Sequence, residues 1–123
     1  MIRAIKFVSI PVQDQDRALR FYTEKLGFKL VSDQPFDGKQ RWIEMEIPGA
    51  ETEVVLFTPE GHETRVGSMI NLAWVSDDVQ KTYDIYLENG VEFLSPPEQM
   101  PWGTMALFKD SEGNMHCISQ DTR

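Results

Sequence analysis

This chain has little that could anchor a covalent or metal-centred scaffold. Among 123 residues there is one cysteine, Cys117, and only two histidines, His62 and His116. A single cysteine cannot form an internal disulfide, which fits a cytoplasmic protein. Basic residues are also scarce: 12 Lys and Arg stand against 20 Asp and Glu, a net charge of −8. Nucleic-acid binders carry a basic footprint, so no nucleic-acid partner is expected, and an anionic membrane surface is disfavoured. No apolar run approaches the ~20 residues needed to cross a bilayer. The opening MIRAIKFVSIPV alternates like a strand and lacks a signal-peptide cleavage region. With 41% hydrophobic and 26% charged residues, the composition is that of an ordinary globular chain of one domain, residues 1–123.

What is present is organised around VQDQDRALRFYTEKLGF, residues 12–28. A short apolar strand ends at Val12. Asp14 stands where an N-cap carboxylate accepts the free N–H groups of a first helical turn. Ala18, Leu19, Tyr22 and Leu26 recur at helical spacing, with Phe21 widening the stripe. Gly27 follows the last apolar position, where helices stop in the left-handed conformation. The punctuation then repeats: Val12, Asp14, Gly27 and Ser32 become Val75, Asp77, Gly90 and Ser95 at an offset of 63. The helical stripes between these anchors do not stay in phase. The repeat is therefore one of topology, and it predicts two similar modules.

Module 1, residues 4–58, reads as β-α-β-β-β. In its first strand, residues 4–12, Phe7 and Ser9 share one face and Val8, Ile10 and Val12 the other. Strands over 28–32, 40–47 and 52–58 follow the helix. The polar stretch 59–67 links to module 2, residues 68–120, in which Asp77 is expected to cap a helix with Gln80 at the capping-box position. Strands over 91–94, 104–109 and 115–120 follow. Pro96, Pro97 and Pro101 predict an irregular 95–101, and residues 110–114, DSEGN, a hairpin turn.

The phrases VQDQDRALRFYTEKLGF, VSDDVQKTYDIYLENGVEF and FKDSEGNMHCIS resemble the vicinal oxygen chelate superfamily of glyoxalase I, fosfomycin and bleomycin resistance proteins and extradiol dioxygenases. The resemblance covers roughly residues 4–120. It implies an α+β fold in which two βαβββ modules form a half-open barrel with a cleft, and commonly a homodimer. It does not fix the reaction, because one scaffold carries many chemistries.

Metal-dependent members hold one divalent ion with His and Glu or Gln side chains from four strands. Carried over by position, those four places fall on Phe7, Leu56, Asn71 (or Ile70 if the register slips) and Cys117. Phenyl and isobutyl groups cannot ligate a metal, and a zinc site needs at least three protein ligands. No cofactor is therefore expected. A displaced site from Glu44, Asn71 and Cys117 is the alternative, which would serve a lyase, isomerase or dioxygenase. His116 neighbours Cys117, but strand alternation turns it to the opposite face, toward the helix side or solvent, where it reads as a partly buried, hydrogen-bonded strand histidine. Cys117 itself reads as a small buried residue, since no histidine on its face could activate it.

Phe7, Trp42, Glu44, Leu56, Asn71, Trp102 and Cys117 are the expected cleft walls. Metal-free, bleomycin-resistance-like members bind an aromatic or cationic drug in such a cleft. Tryptophan faces suit flat or cationic ligands, and an unpaired carboxylate at Glu44 or Glu46 would call for a cationic ligand or an arginine such as Arg41. The expectation is a metal-free, cytoplasmic, homodimeric protein that binds a mostly apolar or cationic small molecule.

Overall fold

The computed structural model describes residues 1–121; residues 122 and 123, the end of the expected 1–123 domain, lie outside the described residues. The fold is α+β, with two sheets and few helices, and neither sheet closes into a barrel among the described residues. Backbone proximity divides the chain into two compact units, with the break between Val66 and Gly67.

Unit 1 comprises β1 (Phe7–Ile10), α1 (Gln15–Arg20), β2 (Lys29–Pro35), β3 (Arg41–Glu46) and β4 (Glu53–Leu56), with the sheet in the order β1-β4-β3-β2. β1 runs parallel to β4 and pairs Ile10 with Leu56, while β3 pairs Ile43 with the same Leu56 from the other side. Ile10, Ile43, Met45, Val54 and Leu56 have no exposed surface, nor do Ala18 and Tyr22 of the helical segment. This is the core of the unit. Each of the Ile, Met, Val and Leu side chains among them contributes about 1.5–3 kcal/mol by leaving water.

Asp14 caps α1, its carboxylate accepting from Arg17 N at 3.0 Å. The helix then widens: residues Phe21–Lys25 form a π-turn, and Leu26 N donates to Phe21 O at 3.3 Å, five residues back. A π-turn accommodates one inserted residue. In unit 2 the cap is Asp78, accepting from Lys81 N at 3.0 Å, and not the expected Asp77. The two caps are thus 64 residues apart, whereas the left-handed glycines Gly27 (φ 83°) and Gly90 (φ 90°) are 63 apart. The first helical segment is one residue longer and takes it up in the π-turn. The apolar stripes are consequently out of phase under a single offset. Asp77 loses the cap because β5 (Met69–Val75) keeps pairing one residue past its end: Ser76 N donates to Ser119 O at 2.9 Å.

Unit 2 continues with α2 (Val79–Glu88), β6 (Glu92–Phe93), β7 (Glu98–Met100), β8 (Gly103–Lys109) and β9 (Met115–Asp121). Its sheet runs β5-β9-β8-β6, with β7 also paired to β8. β7 corrects the expectation that 95–101 is irregular. The three residues between Pro97 and Pro101 keep their N–H groups and pair antiparallel with Gly103–Met105.

His116 sits in the core with no exposed surface, stacked on Phe108 with ring centroids 5.0 Å apart and planes at 11°. Trp74 Nε1–H donates to His116 Nδ1 at 2.9 Å, so Nδ1 is the acceptor and the neutral ring carries its hydrogen on Nε2, 3.0 Å from Asp110 Oδ2. Asn114 Nδ2 donates to the same Asp110 oxygen at 3.0 Å, and Asn114 Oδ1 accepts from Gly67 N at 2.7 Å. Buried polar groups are tolerated when satisfied in this way. His116 is thus the hydrogen-bonded strand histidine expected, but fully rather than partly buried.

Candidate functional site

In unit 1 the face of the sheet opposite the helix carries aromatic and acidic side chains. Phe7 and Trp42 meet edge to face, with centroids 5.4 Å apart and planes at 84°. Trp42 also packs on Phe57 at 5.1 Å and on Phe36 at 5.8 Å. Phe7 (37%) and Phe36 (59%) keep substantial exposure, so part of this aromatic cluster is presented to solvent. The indole N–H of Trp42 donates to Glu44 Oε1 at 2.7 Å, which fixes the carboxylate beside the rings. Of the expected wall residues in this unit, the fold brings Phe7, Trp42 and Glu44 together.

Leu56 is not with them. It lies on the helix side, between Ile10 and Ile43, and has no exposed surface. In a strand, a one-residue shift exchanges the faces, and the residues that β4 and its continuation turn toward Trp42 are Glu53, Val55 and Phe57. Arg41 does not neutralise Glu44 either. Its Nε donates to Asp33 at 2.9 Å and its terminal nitrogen to Asp16 at 2.7 Å, and these bonds hold its pKa above the ordinary value.

Sequence reading missed Phe36, Phe57 and Glu53. Phe36 stands in a segment with no periodicity, and Val54-Val55-Leu56-Phe57 offers apolar side chains to both faces, so pattern alone does not choose. Glu53 stands opposite Phe7 in the β1–β4 register. Its carboxyl is pushed above the usual glutamate value, first by desolvation, then by the Glu44 carboxyl, with Glu46 adding and Lys6 opposing.

The remaining expected wall residues belong to unit 2. Cys117 is half-buried, on the strand side opposite His116, and burial pushes its thiol up. A thiol so placed is mostly protonated at neutral pH and is a poor nucleophile and metal ligand. Asn71 is exposed at a bulge of β5, in the left-handed region at φ 54°. Trp102, 48% exposed, sits in the turn from β7 to β8. Trp74, by contrast, is engaged with His116.

The donor chemistry does not fit the divalent site of metal-dependent relatives. Phe7 has no lone pair to give and Leu56 points into the core. No cluster of three His, Cys, Asp or Glu side chains placed to hold an ion occurs among the described residues.

A polar groove of about 670 Å³ also opens in unit 1, at the start of α1. Its groups answer one another. Gln15 Nε2 donates to the carbonyls of Arg41 and Leu56, and its Oε1 accepts from Arg41 N. The Gln40 side chain pairs with the Thr58 backbone: its Nε2 donates to Thr58 O at 2.7 Å and its Oε1 accepts from Thr58 N at 2.9 Å. These bonds tie the helix start to two strands, and the sheet face with Trp42 is the better candidate for ligand.

The sequence profile of the Glyoxalase/Bleomycin resistance protein/Dioxygenase superfamily matches residues 4–118. The chain is 36% identical over 120 residues to the uncharacterized protein YetH of Bacillus subtilis (strain 168), across 98% of this chain and 100% of that one. Among solved structures it is similar to TnmS3, an antibiotic binding protein from Streptomyces sp. CB03234, at TM-score 0.86 and 35% identity over 98% of each chain. It is also similar to a superfamily member from Sphaerobacter thermophilus DSM 20745, at TM-score 0.88 and 33% identity over 98% of each chain.

Proposed function

Because this chain belongs to the glyoxalase/bleomycin resistance protein/dioxygenase superfamily, we propose that it is a metal-free member that binds a mostly apolar or cationic small molecule on the sheet face of Phe7 and Trp42. The observation that carries this reading is the aromatic cluster itself. By the family resemblance Phe7 stands at the first ligand position of metal-dependent relatives, and its ring is packed on Trp42. Rings on a sheet face offer a flat ligand both area and π-contact. Similarity to an antibiotic binding protein along nearly the whole chain supports the same class of ligand.

The protein is further read as a cytoplasmic homodimer. Val75 (90% exposed) and Met69 (46% exposed) of unit 2 are large apolar side chains of the kind that association covers. Light scattering should then give twice the chain mass of 14.2 kDa.

The test is a screen of flat aromatic compounds by quenching of tryptophan fluorescence, repeated on Trp42→Ala. Loss of one stacking indole should weaken a cationic hit about 2- to 30-fold. A hit that binds Trp42→Ala as tightly as the parent does not use this face. Metal analysis after chelator-free purification should show far less than one equivalent per chain. One tightly held equivalent would overturn the metal-free reading.

A further inference from the structure

The aromatic face of unit 1 includes one ring that stands outside the strands. Phe7 belongs to β1 and Trp42 to β3, and Phe57 directly follows β4 with only 8% of its surface exposed. Phe36 instead stands in the turn between β2, which ends at Pro35, and β3, which begins at Arg41. It is 59% exposed, the most of any ring in the cluster. Phe7, Phe36 and Phe57 all pack on Trp42, but Phe36 alone lies near-parallel to the indole, at 29° with centroids 5.8 Å apart. Phe57 is tilted at 54° and Phe7 stands on edge at 84°. Phe36 also meets Phe57 edge to face at 4.8 Å. It thus fills a stacking place on Trp42, and stacking places are what an aromatic pocket offers a flat ligand.

The turn is tied independently of that ring. Asp37 Oδ1 accepts from Lys39 N and Gln40 N, both at 2.7 Å. Phe36 N and Asp37 N donate to Gln40 O at 3.3 and 3.2 Å. These bonds hold the backbone and the Asp37 carboxylate, and none involves the Phe36 side chain. The ring can therefore leave Trp42 by rotating about its two side-chain bonds while the turn stays closed. Exposed side chains make such rotamer changes in picoseconds to nanoseconds.

We propose that Phe36 is a displaceable placeholder: its ring covers the Trp42 indole in the free protein and swings aside to give that place to a ligand. The inference rests on the reading of the Phe7–Trp42 face as the ligand site, and adds how access to it is controlled. Covering the indole with a ring of the same chain limits the apolar area shown to water and to other proteins. It also lowers affinity, because the apparent affinity is the intrinsic one multiplied by the fraction of molecules in which the ring stands aside. A placeholder and a pocket wall differ in sign. A wall adds contact to the bound ligand, so its removal weakens binding. A placeholder competes with the ligand, so its removal tightens binding.

Two fluorescent probes make the test: 9-aminoacridine, a flat cation, and acridone, a flat neutral ring system. Each is titrated against the parent, Phe36→Ala, Phe36→Leu, Trp42→Ala and the double variant Phe36→Ala/Trp42→Ala. Phe36→Ala should tighten Trp42-dependent binding by about 2- to 10-fold, the range that one aromatic pair sets. Phe36→Leu, which keeps apolar cover without a ring, should act in the same direction by less. With Trp42 already replaced, Phe36→Ala should have little further effect, because the contested place is gone. A second readout follows the ring itself in parent protein labelled with 4-fluorophenylalanine, the Phe36 signal being the one lost in Phe36→Leu. On saturation with probe that 19F resonance should move toward its position in urea-unfolded protein. Trp42-dependent binding that Phe36→Ala weakens or leaves unchanged would sink the placeholder and leave the small-molecule reading standing. If neither the parent nor Phe36→Ala shows binding of either probe that depends on Trp42, both fall.

Discussion

Asp110→Ala should be among the most damaging single changes in this protein. The Asp110 side chain is fully buried and accepts four hydrogen bonds. Oδ1 takes Glu112 N at 2.9 Å and Asn114 N at 3.0 Å; Oδ2 takes Asn114 Nδ2 and His116 Nε2, both at 3.0 Å. Glu112 lies at the edge of the turn, where water can replace the lost acceptor. The other three donors are buried, and each left unpaired costs about 1–3 kcal/mol. The expected loss is therefore at least about 3 kcal/mol, a large share of the ~5–15 kcal/mol that holds a domain of this size. In thermal terms it is a fall of roughly 10 °C or more. Asp110→Asn keeps the shape but turns an amide NH2 toward two donors. His116 cannot flip to compensate, because its Nδ1 already accepts from Trp74. That variant should fold and still lose about 2 kcal/mol or more. Urea denaturation measures both against Glu92→Ala, which breaks only an exposed pair with Lys109 at 3.4 Å and should cost under about 0.5 kcal/mol. If Asp110→Ala and Asp110→Asn both fall within 1 kcal/mol of the parent at unchanged m-value, the network does not stabilise this unit as argued.

Three further outcomes are expected. Leu56→Ala should cost about 2–5 kcal/mol in urea denaturation, as a core cavity does, and a mild loss would return Leu56 to the ligand face. Asp78→Ala should cost about 1 kcal/mol and Asp77→Ala clearly less; the reverse order would restore the cap to Asp77. Glu53→Gln should raise stability at pH 7 but not at pH 4. A carboxyl whose folded pKa is raised makes the folded state bind more protons, so parent stability falls as pH rises from the ordinary glutamate range through the raised value. A parent whose stability did not differ from that of Glu53→Gln across this window would deny the repulsion.

Much of the fold was legible in the chain. Asp14, Gly27 and Gly90 punctuate the helical segments where the structure does, because caps and left-handed turns demand particular residue types. His116 and Cys117 fall on opposite strand faces as alternation requires. Asp77 was misread because Asp77 and Asp78 are both competent caps, and the choice was made by a strand pairing distant in sequence, Ser76 to Ser119. β7 was missed because three prolines outweighed the paired donors between them. On the candidate face, Trp42 and Glu44 share parity along one strand, whereas Phe7 was placed there by the family resemblance and its packing on Trp42 comes from the fold. Leu56 was not readable, since both faces of its strand are apolar and only pairing with Ile10 and Ile43 decides which way it points. Glu53 was invisible for a related reason: its meaning comes from Phe7 and Glu44 on neighbouring strands.

The central claim is that a small molecule binds on the Phe7–Trp42 face. It is tested most directly by 19F NMR of protein labelled with 5-fluorotryptophan, whose three resonances, Trp42, Trp74 and Trp102, are assigned by single Trp→Phe replacements. On titration with 9-aminoacridine, in buffer stripped of divalent metal, the Trp42 resonance should show the largest and a saturable shift. A saturable shift centred on Trp74 or Trp102 with Trp42 unmoved, or no saturable shift at any of the three, would contradict the account.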